Sequence, residues 1–446
     1  MKTSRIQKFI VIGLAAFAMA GLAGRASAVP AFAVQTNQPC AACHVGGFGP
    51  QLTPYGREFK LGGYTTRTNS FNVPLSAMAV ASYISTQTSQ PSPPAAGFRA
   101  NDNVALDQAS LFLAGGLNQN IGGFAQFTYD GVAKVVHWDN LDLRAVTKVT
   151  VKGVNMVLGV SVNNAPTVQD AFNTLAAWGY PYTSSALAPA PGSAPLVGSL
   201  AQNTLGATAY AWINSEFYVE AGGYTSPSPT FLTRAGIDPT DPGSIQGFAP
   251  YARVAYLKDF GDRNLEVGAF WMNAKIAPGL DHTTGMTDHY NDVGLEASFQ
   301  LFAKAHSVVT VNSRYTYETQ ALDASQALGL ATNSGQTLQD FRLDASYYWH
   351  DTVGFTVGGF NTWGSSDSLL YAANRTLSPN SSGLLLQVDG TPFGRDSAPL
   401  GPRFNLRVGA QYTAYLTFDG ASQNYDGMGR SAAANNTFRV FAWVAY

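Results

Sequence analysis

Charge is what this sequence has least of. Lys, Arg, Asp and Glu make up 12% of the 446 residues, against roughly 25% in ordinary soluble domains. The 26 basic and 28 acidic side chains nearly cancel, so no nucleic-acid partner is expected. Cysteine is scarcer still: the chain has 2, which excludes a disulfide framework. Beyond residue 28 no run of about 18 apolar residues occurs, which excludes a transmembrane helix. The G-x-S-x-G, H-E-x-x-H and phosphate-loop patterns are missing too, so no catalytic side chain for hydrolysis or group transfer is expected.

What is there begins with a leader. Lys2, Arg5 and Lys8 precede the apolar stretch FIVIGLAAFAMAGLAG, and Ala26-Ser27-Ala28 offers a cleavage site. This predicts a secretory signal peptide over 1–28. The exported remainder is rich in glycine (45 residues) and aromatics (12%). From about residue 73 its dominant period is two. In RFNLRVGAQYTAYLTF, Leu406, Val408, Ala410, Tyr412, Ala414 and Leu416 share one face, and Arg403, Asn405, Arg407, Gln411 and Thr413 the other. Such alternation marks a strand with one apolar and one polar face. About sixteen such segments can be counted, and the connections between them alternate between short turns and long loops. The chain ends FRVFAWVAY, an apolar alternation closing on an aromatic. The expected fold is an all-β transmembrane barrel of the outer membrane, over 71–446, with its apolar face on lipid. The connection at 390–402 is longer than the short-turn rhythm allows, and 164–204 reads as a long external loop. Inward positions carry Asp142, Glu266, Glu296, Glu318 and Asp344 beside Arg144, Arg314, Arg342, Arg403 and Arg407. They would form either a hydrated path or a packed salt-bridge network.

Both cysteines sit in QTNQPCAACHVGGFGPQLTPYGREFKLGGY. C-x-x-C-H is the attachment signature of c-type haem. Cys40 and Cys43 would form the thioether bonds and His44 the proximal iron bond, in a haem segment over 29–70. A zinc site would need four ligands, and no second cysteine pair exists. A redox dithiol belongs with a βαβ pattern, which is absent. For the distal ligand, Met78 faces the lumen near the periplasmic end of the first strand. His306 and His350, in predicted short turns, are the other candidates beside a five-coordinate iron. Arg57 and Lys60 are candidate contacts for haem propionates. The prolines and glycines of 50–63 leave little room for helix.

The segment AVQTNQPCAACH, followed by LTPYGREFKLGGY and an aliphatic first strand, resembles the fused cytochrome–porins of the outer membrane. The best-known members of that family are iron oxidases of iron-oxidising bacteria. The resemblance is specific over about thirty-five residues and architectural elsewhere. It implies a single haem c plugging a sixteen-stranded barrel at the periplasmic side. Electrons would pass from extracellular Fe(II) to a periplasmic carrier such as a soluble cytochrome c. That is one-electron oxidoreductase chemistry of the Fe(II):cytochrome c type. The alternatives are a solute-conducting porin whose haem segment is structural or sensory, and outward electron transfer. In GLDHTTGMTDHYND, Asp281, His282, Asp288 and His289 form a candidate site for extracellular iron capture.

Overall fold

The computed structural model describes residues 30–68, 74–172, 174–303, 306–395 and 404–446. The leader over 1–28 and Arg403 lie outside these residues. One sheet of seventeen strands runs around the molecule, and pairing of β1 with β17 closes it. The first half comprises β1 (Leu75–Thr86), β2 (Asn103–Gly116), β3 (Ile121–Asp130), β4 (Val135–Val151), β5 (Val154–Asn163), β6 (Leu205–Ile213), β7 (Phe217–Thr225) and β8 (Ser244–Ile245). The second half comprises β9 (Ala249–Asp259), β10 (Arg263–Ala277), β11 (Asp288–Ala303), β12 (Ser307–Ala321) and β13 (Gly335–Trp349). It ends with β14 (Val353–Gly364), β15 (Ser381–Gly390), β16 (Asn405–Thr417) and β17 (Thr437–Ala445). β8 is a two-residue addition above β10, which leaves the expected sixteen barrel strands, all antiparallel.

Closure is made at the chain end. Met78 pairs with Ala445 across the seam. Ala77 and Tyr446 exchange backbone hydrogen bonds of 2.8 and 2.9 Å. Among the described residues the barrel strands therefore leave no open edge, which the hydrocarbon of a bilayer demands.

The polarity of the barrel is inside-out. Leu111, Val160, Leu295, Phe355, Leu386 and Leu416 are exposed on the outer face. On the inner face Asp142, Arg144, Arg253, Glu266 and Arg407 are buried. A soluble β-sandwich would bury the first set and expose the second. This barrel exposes its apolar face to membrane lipid, as an outer-membrane barrel does.

Two segments fill the lumen. The first is the N-terminal one, which is more helical than its glycines and prolines suggest. Helices span Pro30–Thr36 and Pro54–Leu61, and a single turn spans Cys40–Cys43. Pro54 starts its helix, where the missing N–H costs nothing, and the Thr53 hydroxyl accepts from Gly56 N to cap it. The second is the β5–β6 connection at 164–204. Instead of standing outside the cell it folds inward, with Val168, Phe172 and Leu175 at 5% exposure or less. Leu175, Leu196 and Leu200 pack against Tyr224, Tyr251 and Phe270 of the wall. Between them the interior charges form a packed network. Arg144 pairs with Asp142 at 2.9 Å, Arg253 with Glu296 at 2.6 Å, and Arg407 with Asp389 at 3.2 Å.

Candidate functional site: the C-x-x-C-H cavity

One helical turn brings the motif together. The His44 N–H donates to Cys40 O at 2.9 Å, so the turn Cys40–Cys43 ends with the imidazole directly after it. The following chain returns to hold this turn. Thr53 N donates to Cys43 O at 2.9 Å and the Thr53 hydroxyl to Ala42 O at 2.5 Å. Gly56 lies against Cys43 so closely that a Cβ would strike the Cys43 carbonyl. Gly56→Val is therefore expected to push the helix off the motif at a cost of about 1–3 kcal/mol. The check is the protease resistance of the N-terminal segment in purified, folded protein; a wild-type resistance would refute the role of this contact.

The barrel grips the segment all round. Tyr210 Oη donates to Leu61 O at 2.6 Å, Asn405 Nδ2 to Gly47 O at 3.0 Å, and Tyr64 Oη to Asp142 Oδ2 at 2.7 Å. Ala41 N donates to Gly394 O at 3.0 Å. Gly394 belongs to the β15–β16 connection, the one that breaks the short-turn rhythm. Gly394 is the residue through which this connection reaches the C-x-x-C-H motif.

Segment, barrel and inserted loop border a half-open cavity of about 380 Å³. Cys40, Cys43 and His44 border it from the segment, Met78, Phe112 and Trp443 from the strands, and Trp178 and Tyr182 from the loop. Met78 faces inward on β1, as alternation requires, and shares this cavity with His44. His306 and His350 do not border it.

The chemistry of these groups separates the candidate roles. Burial, reinforced by Cys40, pushes the Cys43 thiol up to about 12. A redox-active C-x-x-C needs the opposite shift. Burial, with the Arg407 charge adding to it, pushes His44 down to about 4, so the imidazole is neutral at neutral pH. Its Nδ1 is buried without a hydrogen-bond partner. Neutral imidazole is the form that binds a metal. Two free thiols, a neutral histidine, a thioether and aromatic walls in one cavity fit a covalently attached haem.

The charged candidates divide. Lys60 borders the cavity, its ammonium donating to Val168 O and Asp170 O at 2.7 Å each. Arg57 does not border it. Its guanidinium turns to the wall, where it donates to Asn264 Oδ1 at 3.1 Å and to Gln300 Oε1. Asn264 and Gln300 are paired neighbours on β10 and β11, which suits a forked donor. Through these bonds Arg57 anchors the segment to the barrel wall.

The external iron-capture group is not assembled. Asp288 begins β11 fully buried and accepts from Ser325 N at 2.9 Å and Ser325 Oγ at 2.5 Å. His289 follows it on the strand and so points to the other face. Asp281 accepts from Thr283 in the exposed loop, next to His282. Among the described residues no group of three or more His, Cys, Asp or Glu could hold a metal ion.

Sequence reasoning missed Trp443, Tyr182 and Trp178. Trp443 had a signal, because alternation along β17 places it inward. The two loop residues had none, since their position depends on the inward fold of 164–204.

No protein-family model and no curated protein matches the chain. Among solved structures it is similar to OmpT of Vibrio cholerae, at 8% identity over 85% of this chain and 99% of that one, TM-score 0.45. It is also similar to Salmonella typhi OmpF in complex with daunomycin, at 12% identity over 85% and 99%, TM-score 0.45. An anion-selective porin from Comamonas acidovorans matches at 11% identity over 83% and 98%, TM-score 0.42. The barrel assignment itself rests on the strand pairing and closure described above.

Proposed function

We propose that this protein is an outer-membrane electron conduit with one c-type haem. It takes electrons from an extracellular reductant, Fe(II) in the first place, and delivers them to a periplasmic carrier such as a soluble cytochrome c. The observation that carries the reading is the single cavity bordered by Cys40, Cys43, His44 and Met78. Cys40 and Cys43 would hold the group covalently, and His44 and Met78 would ligate its iron. Bound there, haem supplies a one-electron centre whose potential a methionine ligand raises.

The chain's own residues set the conditions. Phe112, Phe124 and Trp443 limit water at the site. Lys60 is the one Lys or Arg side chain on the described lining and would be the contact for a haem propionate. The lumen packing by the N-terminal segment and 164–204 favours electron passage over free solute flow, the porin alternative. The short-turn end, where the segment docks, is the face a periplasmic carrier would approach.

The test uses haem-loaded protein in liposomes with its long loops outward. Fe(II) is added outside and the reduced α-band is followed. Prompt reduction that is lost in His44→Ala is the expected result. Haem that dithionite reduces but Fe(II) does not would overturn iron as the donor.

A further inference from the structure

We propose that Trp443 is a positioning residue, whose indole N–H fixes the Met78 thioether and tunes it as an axial ligand. The inference rests on the haem reading above. Trp443 pairs with Val80 and Ala445 with Met78 across the closing seam, so the Trp443 and Met78 side chains are diagonal neighbours on the inner face. Trp443 Nε1–H donates to Met78 Sδ at 3.3 Å. The other indoles with partners behave differently. Trp178 donates to Val168 O at 2.8 Å, Trp138 to Gln202 O at 2.9 Å and Trp271 to Asn291 Oδ1 at 2.8 Å. Among the described residues only Trp443 spends its N–H on sulphur, the weaker acceptor.

That choice has a consequence for geometry. A methionine side chain has three free torsions and packs adaptably. With one sulphur lone pair held by the indole, the other is left for the cavity that both residues border. The indole is itself fixed from the haem segment: Phe48, five residues after Cys43, packs on it with ring centroids 4.7 Å apart. Docking of the segment and orientation of the sulphur are thereby coupled. A donor on the sulphur also draws electron density from it, which favours the ferrous over the ferric state.

The experiment compares haem-loaded full-length wild type, Trp443→Phe and Met78→Ala in detergent. It reads the midpoint potential, the ferric sulphur-to-iron absorption and imidazole binding to the ferric protein. Barrel closure is verified by heat-modifiable gel mobility. For Trp443→Phe the potential should shift down, the sulphur-to-iron band weaken, and imidazole bind about fivefold tighter, the size of one lost hydrogen bond. Met78→Ala should lose the band altogether. Unchanged spectra and potential in Met78→Ala would remove Met78 as ligand, and the role of Trp443 with it. A change in Met78→Ala with Trp443→Phe identical to wild type would overturn the positioning role alone. If Trp443→Phe fails to close, Trp443→Leu is read by the same criteria.

Discussion

Replacing Cys40 and Cys43 together by alanine is expected to abolish haem that survives denaturing electrophoresis, while the barrel still closes. The two effects separate because the cysteines contribute nothing to the strand ladder. Closure is made by β1 and β17, through Met78–Ala445 and the backbone exchange of Ala77 with Tyr446. The motif itself is held by backbone bonds, Thr53 N donating to Cys43 O and Ala41 N to Gly394 O, which alanines leave in place. Haem staining of denatured protein, set beside heat-modifiable mobility of the native form, measures both. Haem retained in the double variant would show attachment elsewhere. A wild type without haem would remove the electron-conduit reading. Loss of the barrel together with the haem would contradict the independence of the two units.

The second large effect is expected at Arg253. This guanidinium is fully buried and meets Glu296 at 2.6 Å, Glu266 at 3.6 Å and Asp170. It also lies over the Phe172 and Tyr218 rings, 5.1 and 5.7 Å from their centroids. Asp170 in turn accepts from the Phe172, Thr174 and Leu175 amides at 2.8, 3.0 and 3.1 Å, so it organises the inserted loop. Burial alone would raise its pKa, but Arg253 and these amides hold it below the usual carboxylate range. Arg253→Met keeps much of the volume and leaves three buried carboxyl groups without their shared partner. Breaking a buried ion pair from one side costs about 3–5 kcal/mol. The loop at 164–204 should leave the lumen, with two readouts. Protease added to the long-loop side should cut there, and single-channel conductance in planar bilayers should rise. A variant as closed and as protease-resistant as wild type would show that apolar packing around Leu175 and Leu200 holds the loop by itself.

These expectations draw on two kinds of information. Strand number, closure by the terminal aromatic strand and the inward face of Met78 were legible in the sequence, as was the C-x-x-C-H motif. Each is local: period-two alternation is read within ten residues, and the motif within five. The inward fold of 164–204, the wall contacts of Arg57, the burial of Asp288 against Ser325 and the bond from Trp443 to Met78 were decided by the tertiary structure. They join residues far apart in the chain. Trp443 and Met78 are 365 positions apart, and Arg253 and Asp170 are 83 apart. A buried charge must be compensated, and the sequence states the need without naming the partner. The alternation that places a side chain inside the barrel leaves open which inward neighbour it meets. Register and closure settle that, because they bring the last strand beside the first.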